Sequence, residues 1–359
     1  RSPHDCPAQD SSQQNSGNVI YGCSDAERTP PGNTNDQKSN QMYGVSDRKG
    51  HPDLYVLNMR RVGDHKVQWY FVDHRSLNHS ANKGPIFTDD LEDIVRLNDG
   101  SFLVSSENGD SPIVQLDCRG VPVSQPMNAR PVVTFFRGSD VDQAGKKIPD
   151  KVKSFNWNEY FTVNKSFESL AISADGQTIY TAPEAAPIKG PGMNQNGSVP
   201  LFALQIQKKN RKAPAANPCQ FSYVEFQVPR ILGSIPISAE VRAIGGGGIS
   251  ALLRVDDQKF FVMERAYDRK NDKVVGRIFS ISLNAIDKNG EFETQTVIDF
   301  DDLAKSLAPG FRRMENLEGM TFGPDLRRDR TLVLVSDNNS NPAQVTALIT
   351  LKIASRHLK

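Results

Sequence analysis

LEDIVRLNDGSFLVSSE (91–107), FESLAISADGQTIYTAPE (167–184), ISALLRVDDQKFFVMER (249–265) and LEGMTFGPDLRRDRTLVLVSDN (317–338) follow one grammar. Each opens on an apolar residue, usually followed by Glu, then returns to apolar positions. Each then passes through an Asp-containing turn into a strand that ends on an acid: Glu107, Glu184, Glu264 or Asp337. A shorter copy, YGVSDR (43–48), ends on Asp47. Self-similarity on this scale is the signature of a repeat architecture, in which each unit buries its apolar face against the next.

The closing acids are 60, 77, 80 and 73 residues apart. That exceeds a minimal propeller blade of about 40–45 residues, and long loops over 137–163 and 185–200 take up the excess. Within a unit, LEDIVRL, SFLVSS, IVQLD and VPVS read as an up-and-down meander joined by tight turns. Elsewhere short runs rich in β-branched and aromatic residues dominate, among them LYVLNM (54–59), VQWYFV (67–72), LFALQIQ (201–207), RIFSISL (277–283) and TALITLKI (346–353). The expected fold is all-β: a β-propeller of five or six blades, each a four-stranded antiparallel sheet, with long inter-strand loops. A β-sandwich with long insertions is the alternative, and it leaves the recurring acids without a reason. DDLAKSLA (301–308) is the best helix candidate. Residues 1–40 are polar and read as an irregular arm, in which VIYGCSD (19–25) could supply a strand that pairs with TALITLKI. Residues 41–359 are read as one domain.

With 43 basic and 42 acidic residues the formal charge is +1, and no basic stripe exists, so nucleic acid is excluded as a partner class. KKNRK (208–212) reads as a solvated loop. No apolar run of about 18 residues is present, so no membrane span is expected. The chain begins at Arg1, which suits a processed product. Four cysteines suit two disulfides in an oxidising compartment, with three possible connectivities. Cys6–Cys23 would staple the arm and Cys118–Cys219 would tie two long loops; four free thiols are the other reading. Sequons at Asn78, Asn164, Asn196 and Asn338 favour secretion, and Asn338 directly follows Asp337.

Two sets of acids emerge from the repeat. The opening acids are Glu92, Glu168 and Glu318, with Ser250 in the corresponding place of the third full copy. The closing acids are Asp47, Glu107, Glu184, Glu264 and Asp337. In a propeller, equivalent positions of successive blades form a ring, so these carboxylates would line one end of the central channel. Such a ring needs a cation or protons. Hard oxygen donors without His or Cys suit Ca²⁺ better than zinc. The alternative is that the acids cap backbone N–H groups at turns. Arg48 and Arg265, each following a closing acid, could clamp a phosphate or carboxylate, or form a salt bridge to the neighbouring acid. His4, His51, His65, His74, His79 and His357 all avoid the repeat cores. Neither G-x-S-x-G, a P-loop nor H-E-x-x-H occurs, and GGGG (245–248) reads as an inter-strand turn.

The set YGVSDR, LEDIVRL–DGSFLVSSE, FESLAISADGQTIYTAPE, FFVMER and NLEGMTFGPD–LVLVSDNN resembles the phytase-like family described by an "esterase-like activity of phytase", from about Tyr43 to Ile353. The resemblance implies a secreted or periplasmic propeller that acts on phosphate or carboxylic esters with a divalent metal. On that reading Glu107 or Glu184 would be the general base, Arg48 and Arg265 would bind substrate oxygens, and Glu92, Glu168, Glu318, Glu264, Asp337 and Asp47 would bind Ca²⁺. The competing reading is a non-catalytic extracellular propeller that holds structural Ca²⁺ and binds a protein partner. A lactonase-type propeller is a third.

Overall fold

The computed structural model describes residues 40–46, 52–62, 66–77, 91–107, 113–123, 132–134, 136–137, 154–156, 161, 165–188, 197–212, 219, 221–226, 230–309, 313–326, 329–337 and 345–358. Cys6, Cys23, Asp47, Arg48 and the four sequon asparagines, together with the 1–39 segment, lie outside them.

The chain is all-β apart from short helices, and nearly all its strand pairs are antiparallel. The first sheet is β1 (Asn40–Val45), β2 (Asp53–Val62) and β3 (Lys66–Ser76); the second is β4 (Leu91–Arg96), β5 (Phe102–Ser106) and β6 (Ile113–Leu116). Between the second and third sheets lie β7 (Val132–Thr134), β8 (Phe136–Arg137) and β9 (Ser154–Asn156), of which β7 pairs with β9. The third sheet comprises β10 (Phe167–Ile172), β11 (Thr178–Pro183), β12 (Val199–Lys212) and β14 (Arg230–Ile235), with β13 (Ser222–Phe226) on β12 and β8 parallel to β14. The fourth is β15 (Gly248–Arg254), β16 (Lys259–Asp268), β17 (Lys273–Ile286) and β18 (Phe292–Asp299). The fifth is β19 (Asn316–Leu326), β20 (Asp329–Asp337) and β21 (Leu348–Ile353).

Meander order therefore holds in each repeat, but four hydrogen-bonded strands in simple succession occur only in the fourth sheet among the described residues. In the second, the expected VPVS strand is reduced to a single bridge between Leu116 and Pro122. YGV falls in β1, at the edge of its sheet, whereas the strands leading to the other closing acids occupy second place.

The sheets pack in sequence. Strand β1 contacts β4, β4 contacts β10, β10 contacts β15 and β15 contacts β19; β19 in turn contacts β2 of the first sheet. An apolar core fills each junction. Val45, Leu54, Leu91 and Phe102 join sheets one and two, and Val95, Leu103, Phe167 and Phe202 join two and three. Ala182, Leu201, Phe260 and Phe279 join three and four, and Phe261, Met263, Leu317 and Leu334 join four and five. Met42, Met59 and Val333 join the first sheet to the fifth. Because inner strands are covered on both faces, β4, β5 and β10 are buried almost throughout and lack the apolar–polar alternation of a one-sided sheet.

The Asp-Gly turns are built as their chemistry requires. Asp99 and Asp175 accept the backbone N–H groups two residues on, and Gly100 and Gly176 take φ +82° and +67°. A Cβ on Gly176 would lie 2.9 Å from Asn98 Nδ2, so the turns of adjacent sheets abut.

DDLAKSLA matches an observed helix, α2 (Phe300–Ser306), whose first-turn N–H groups are capped by Asp299. Helix α1 (Ala239–Ile244), capped by Ser238, was not expected, and Gly245 ends it at φ +72°. GGGG thus links a helix to a strand rather than two strands. KKNRK is not a loop: it forms the end of β12.

Cys118 and Cys219 form a disulfide across 101 residues, with Cα atoms 5.6 Å apart. It ties the turn after β6 to the segment before β13. A Cys118→Ser/Cys219→Ser variant should lose about 2–4 kcal/mol of unfolding free energy, from restored freedom of the unfolded chain. Urea denaturation under non-reducing conditions measures this, and an unchanged midpoint would contradict it.

Candidate functional site

A β-bulge places each opening acid. Pairing of β10 with β11 shifts between Phe167 and Ser169, making Glu168 the extra residue. The same shift falls at Glu318 in β19, at Ser250 in β15 and across Glu92–Asp93 in β4. A bulge breaks the strict alternation of side chains and re-aims the extra residue. Four sheets thus use one irregularity at one place, and three of them spend it on a carboxylate.

Glu92, Glu107 and Glu168 are buried, and each offers an oxygen within 4.8 Å of the others. Two oxygens on opposite sides of one Ca²⁺ stand up to about 5 Å apart, so this spacing fits a shared hard cation. The donors are all carboxylate; neither His nor Cys belongs to the group.

Glu168 links this trio to a second cluster organised by Arg265 in β16. The guanidinium Nε donates to Glu318 Oε2 at 3.1 Å, Nη2 to Glu318 Oε1, and Nη1 to Glu184 Oε1 at 3.1 Å. Nη2 also lies 3.5 Å from Glu168 Oε1. One cation therefore ties the third, fourth and fifth sheets together. Lys165 donates to Glu184 Oε2 and to Gly246 O, and Asn316 Nδ2 donates to Glu318 Oε1. Asp337, opposite Asn316 in the β19–β20 register, is buried beside Glu318.

Negative charge is in excess. Burial, followed by the charges of Glu92, Glu184, Glu107 and Glu318, pushes the Glu168 carboxyl well above its ordinary value. Glu318 is raised to about 8, chiefly by burial; Arg265 pulls it down while Asp337 and Glu184 push it up. Burial disfavours the charge on Arg265, but Glu318, Glu184 and Glu168 outweigh this and hold it cationic.

Glu264 goes elsewhere. It is fully buried, but β16 runs on past it to Asp268, and Arg277, directly opposite in β17, donates to it at 2.8 Å. Its other oxygen accepts the Ser238 N–H at 3.0 Å. Glu264 therefore joins α1 to the sheet. Arg265, read as a substrate clamp or as a partner of its neighbouring acid, pairs with Glu318, Glu184 and Glu168 of the flanking sheets.

Three groups escaped the repeat. Asp93 is buried and raised to about 8 by burial, although it accepts the Leu170 and Ile94 N–H groups, each at 2.7 Å. It pins β4 to β10, and the doubled acid of LEDI is its only trace in the sequence. Asn316 is the first residue of the NLEG motif. Lys165 carries no periodic signal at all.

The chain belongs to the phytase-like family: the family profile described as "Esterase-like activity of phytase" matches residues 32–340. No curated protein matches the sequence. Among solved structures, an endo-arabinase from Bacteroides thetaiotaomicron aligns at 12% identity and TM-score 0.39, over 93% of this chain and 97% of that one. The major Malassezia sympodialis allergen Mala s 1 aligns at 11% and 0.37, over 95% and 79%. A Trichoderma reesei carbohydrate-active enzyme of family AA12 aligns at 11% and 0.37, over 96% and 100%. Superpositions this loose carry no argument about chemistry.

Raised carboxyl pKa values have a definite sign. The folded state holds protons on Asp93 and Glu318 up to about pH 8, which the unfolded chain releases near pH 4. Their contribution to stability is complete below the unfolded values and is lost as pH rises through about 8. Metal-free protein should therefore melt at progressively lower temperature between pH 5 and 9; a rising melting temperature would contradict this. Arg265→Met should cost about 3–5 kcal/mol at pH 8, where buried carboxylates lose their counter-charge, and less at pH 5. Chemical denaturation at the two pH values measures the difference, and an equal cost at both would show that the carboxylates do not govern it.

Proposed function

We propose that this protein is a secreted, metal-dependent ester hydrolase acting on phosphomonoesters or carboxylic esters, built as a single propeller domain over 41–359. The observation that carries the reading is the Glu92–Glu107–Glu168 trio beside Arg265, in a chain of the phytase-like family. The cyclic order of five sheets and five inter-sheet cores supports a propeller of at least five blades. The disulfide supports an oxidising compartment. Among the described residues, no helix is long and apolar enough to cross a membrane.

Glu92, Glu107 and Glu168 would hold Ca²⁺, with Glu318 and Asp337 adding negative potential nearby. Bound there, the ion would neutralise the trio and polarise an ester oxygen. The protein's own groups divide the remaining work. Arg265 supplies a cation for an anionic substrate oxygen. It is pre-positioned by Glu318 and Glu184, so little side-chain freedom is lost on binding. Lys165 and Arg265 already occupy both oxygens of Glu184, which makes it an anchor for these cations. With Glu184 so occupied, Glu107 would act as the base for a water proton, through the carboxylate oxygen it does not lend to the ion. Asp47, Arg48 and Glu264 have no part in this scheme.

A second reading follows from the same geometry. Arg265 and its acids satisfy one another, which equally suits a non-catalytic propeller that holds Ca²⁺ and binds an extracellular partner.

Turnover of a panel of phosphate and carboxylic esters, with and without chelator, separates the two. Hydrolysis that requires Ca²⁺, falling about 100-fold or more in Glu107→Gln while Glu264→Gln keeps its Ca²⁺ dependence, is the expected result. A Ca²⁺-induced rise in melting temperature with no turnover across the panel would establish the second reading. No response to Ca²⁺ in either assay would remove the metal site itself.

A further inference from the structure

A single 3-10 turn, Ser355–His357, follows β21 and folds back onto the fourth sheet. The His357 N–H closes it on Ala354 O at 2.9 Å, and the Leu358 N–H on Ser355 O at 3.1 Å. Lys259, the first residue of β16, donates from Nζ to His357 O at 3.3 Å. Leu358 packs against the core between sheets four and five, where Leu253, Phe261 and Ile353 are buried. This contact lies at the far end of the fourth sheet from the acid cluster. Strands β15 and β16 meet in the 255–258 turn beside Lys259, whereas Ser250 and Arg265 stand towards their other ends.

His357 is buried in this contact, at 9% exposure. Its Nε2 accepts the Arg356 Nε–H at 3.2 Å, so the neutral ring carries its proton on Nδ1. Nδ1 is buried and has no hydrogen-bond partner among the described residues. Burial, followed by the positive charges of Arg356 and Lys259, holds the imidazole below its ordinary pKa. Acids on the flanking elements have other partners. Asp256 accepts the Gln258 and Lys259 N–H groups, each at 2.8 Å. Asp257 pairs with Arg254 and Asp329 with Lys352, both at 3.6 Å. A second proton on the ring would turn Nε2 from an acceptor into a donor that faces another donor. It would also bury a third positive charge beside Arg356 and Lys259, which costs free energy when no acid pairs with it.

We infer that Ser355–Leu358 is an acid-sensitive latch: it closes over the junction of the fourth and fifth sheets while His357 is neutral, and opens when the ring takes a proton from solvent at Nε2, baring the apolar surface beneath Leu358. A histidine buried in its neutral form must charge as pH falls. The closed form is therefore fully favoured above the ordinary histidine value of about 6.5 and loses ground below it. This sign is opposite to that of Asp93 and Glu318, whose protonation stabilises the metal-free protein in acid. Mild acid should thus open the latch while the body of the molecule holds. The device needs neither metal nor substrate, so it stands independently of the hydrolysis proposed above.

Hydrogen–deuterium exchange of the whole protein, read by mass spectrometry at pH 7.5 and pH 5 and corrected for intrinsic exchange rates, is the test. Protection of peptides covering 354–358 should fall about tenfold at pH 5 and return when neutral pH is restored, while peptides from β15 and β19 keep theirs. His357→Gln retains an acceptor for Arg356 and cannot take a charge, so its protection should be nearly equal at the two pH values, whatever its level. Lys259→Gln removes one of the two cations and should move the loss of protection to lower pH. Wild-type protein equally protected at both pH values, or the same fall in His357→Gln, would overturn the inference. A fall shared by β15 and β19 would do so too, since it would report loosening of the whole molecule rather than release of the latch.

Discussion

Arg265 donates to Glu318 and Glu184 and pairs with Glu168, and much of the molecule is arranged around that one guanidinium. The three acids come from two sheets that flank its own. Burying so many carboxylates is costly, since each loses its hydration in a medium that screens poorly. A single planar cation with five donors offsets part of the cost, and Lys165 offsets a little more. What remains appears as raised carboxyl pKa values at Glu168 and Glu318. The site is therefore an electrostatic compromise: protons fill it when no cation does. A hard divalent ion would displace those protons and relieve the same strain.

The β-sheets make this compromise repeatable. A bulge at the start of the inner strand in four of the five sheets puts the extra residue out of register with its neighbours, while the apolar residues around it stay locked in the inter-sheet cores. Acids are thereby brought to one locality without disturbing the packing that holds the sheets together. Ser250 occupies the bulge of the fourth sheet, where another carboxylate would have deepened the excess charge. The fourth sheet instead contributes the cation, Arg265, so the departure in the repeat and the central ion pair belong to the same unit.

The meander order and the convergence of repeat acids were legible because they follow from a repeated pattern, although Glu107 was read as a base apart from the metal-binding Glu92 and Glu168, with which it is grouped; the α2 helix was legible from DDLAKSLA, outside the repeat. Repetition also misled. Glu264 stands in the same repeat position as Glu107 and Glu184, yet β16 and β17 form a long hairpin that sets Arg277 directly opposite it, and a cross-strand cation captures the carboxylate. The charges of KKNRK suggested a loop, but β12 runs through them to pair with β13. Asp93 was hidden by its neighbour Glu92, since the repeat has one opening acid per copy whereas the bulge in β4 takes in two residues. Lys165 and the short helix α1 leave no periodic trace: they are set by tertiary contacts with Glu184 and Glu264, which a single chain read linearly does not display.

The reading of the site stands or falls on whether Glu92, Glu107 and Glu168 share one cation. Anomalous diffraction from crystals soaked in a lanthanide, a hard oxygen-seeking substitute for Ca²⁺, tests it most directly. A strong peak is expected among Glu92, Glu107 and Glu168, with Arg265 still bridging Glu318 and Glu184. A peak only at surface acids, with the three glutamates turned towards separate sheets, would contradict it.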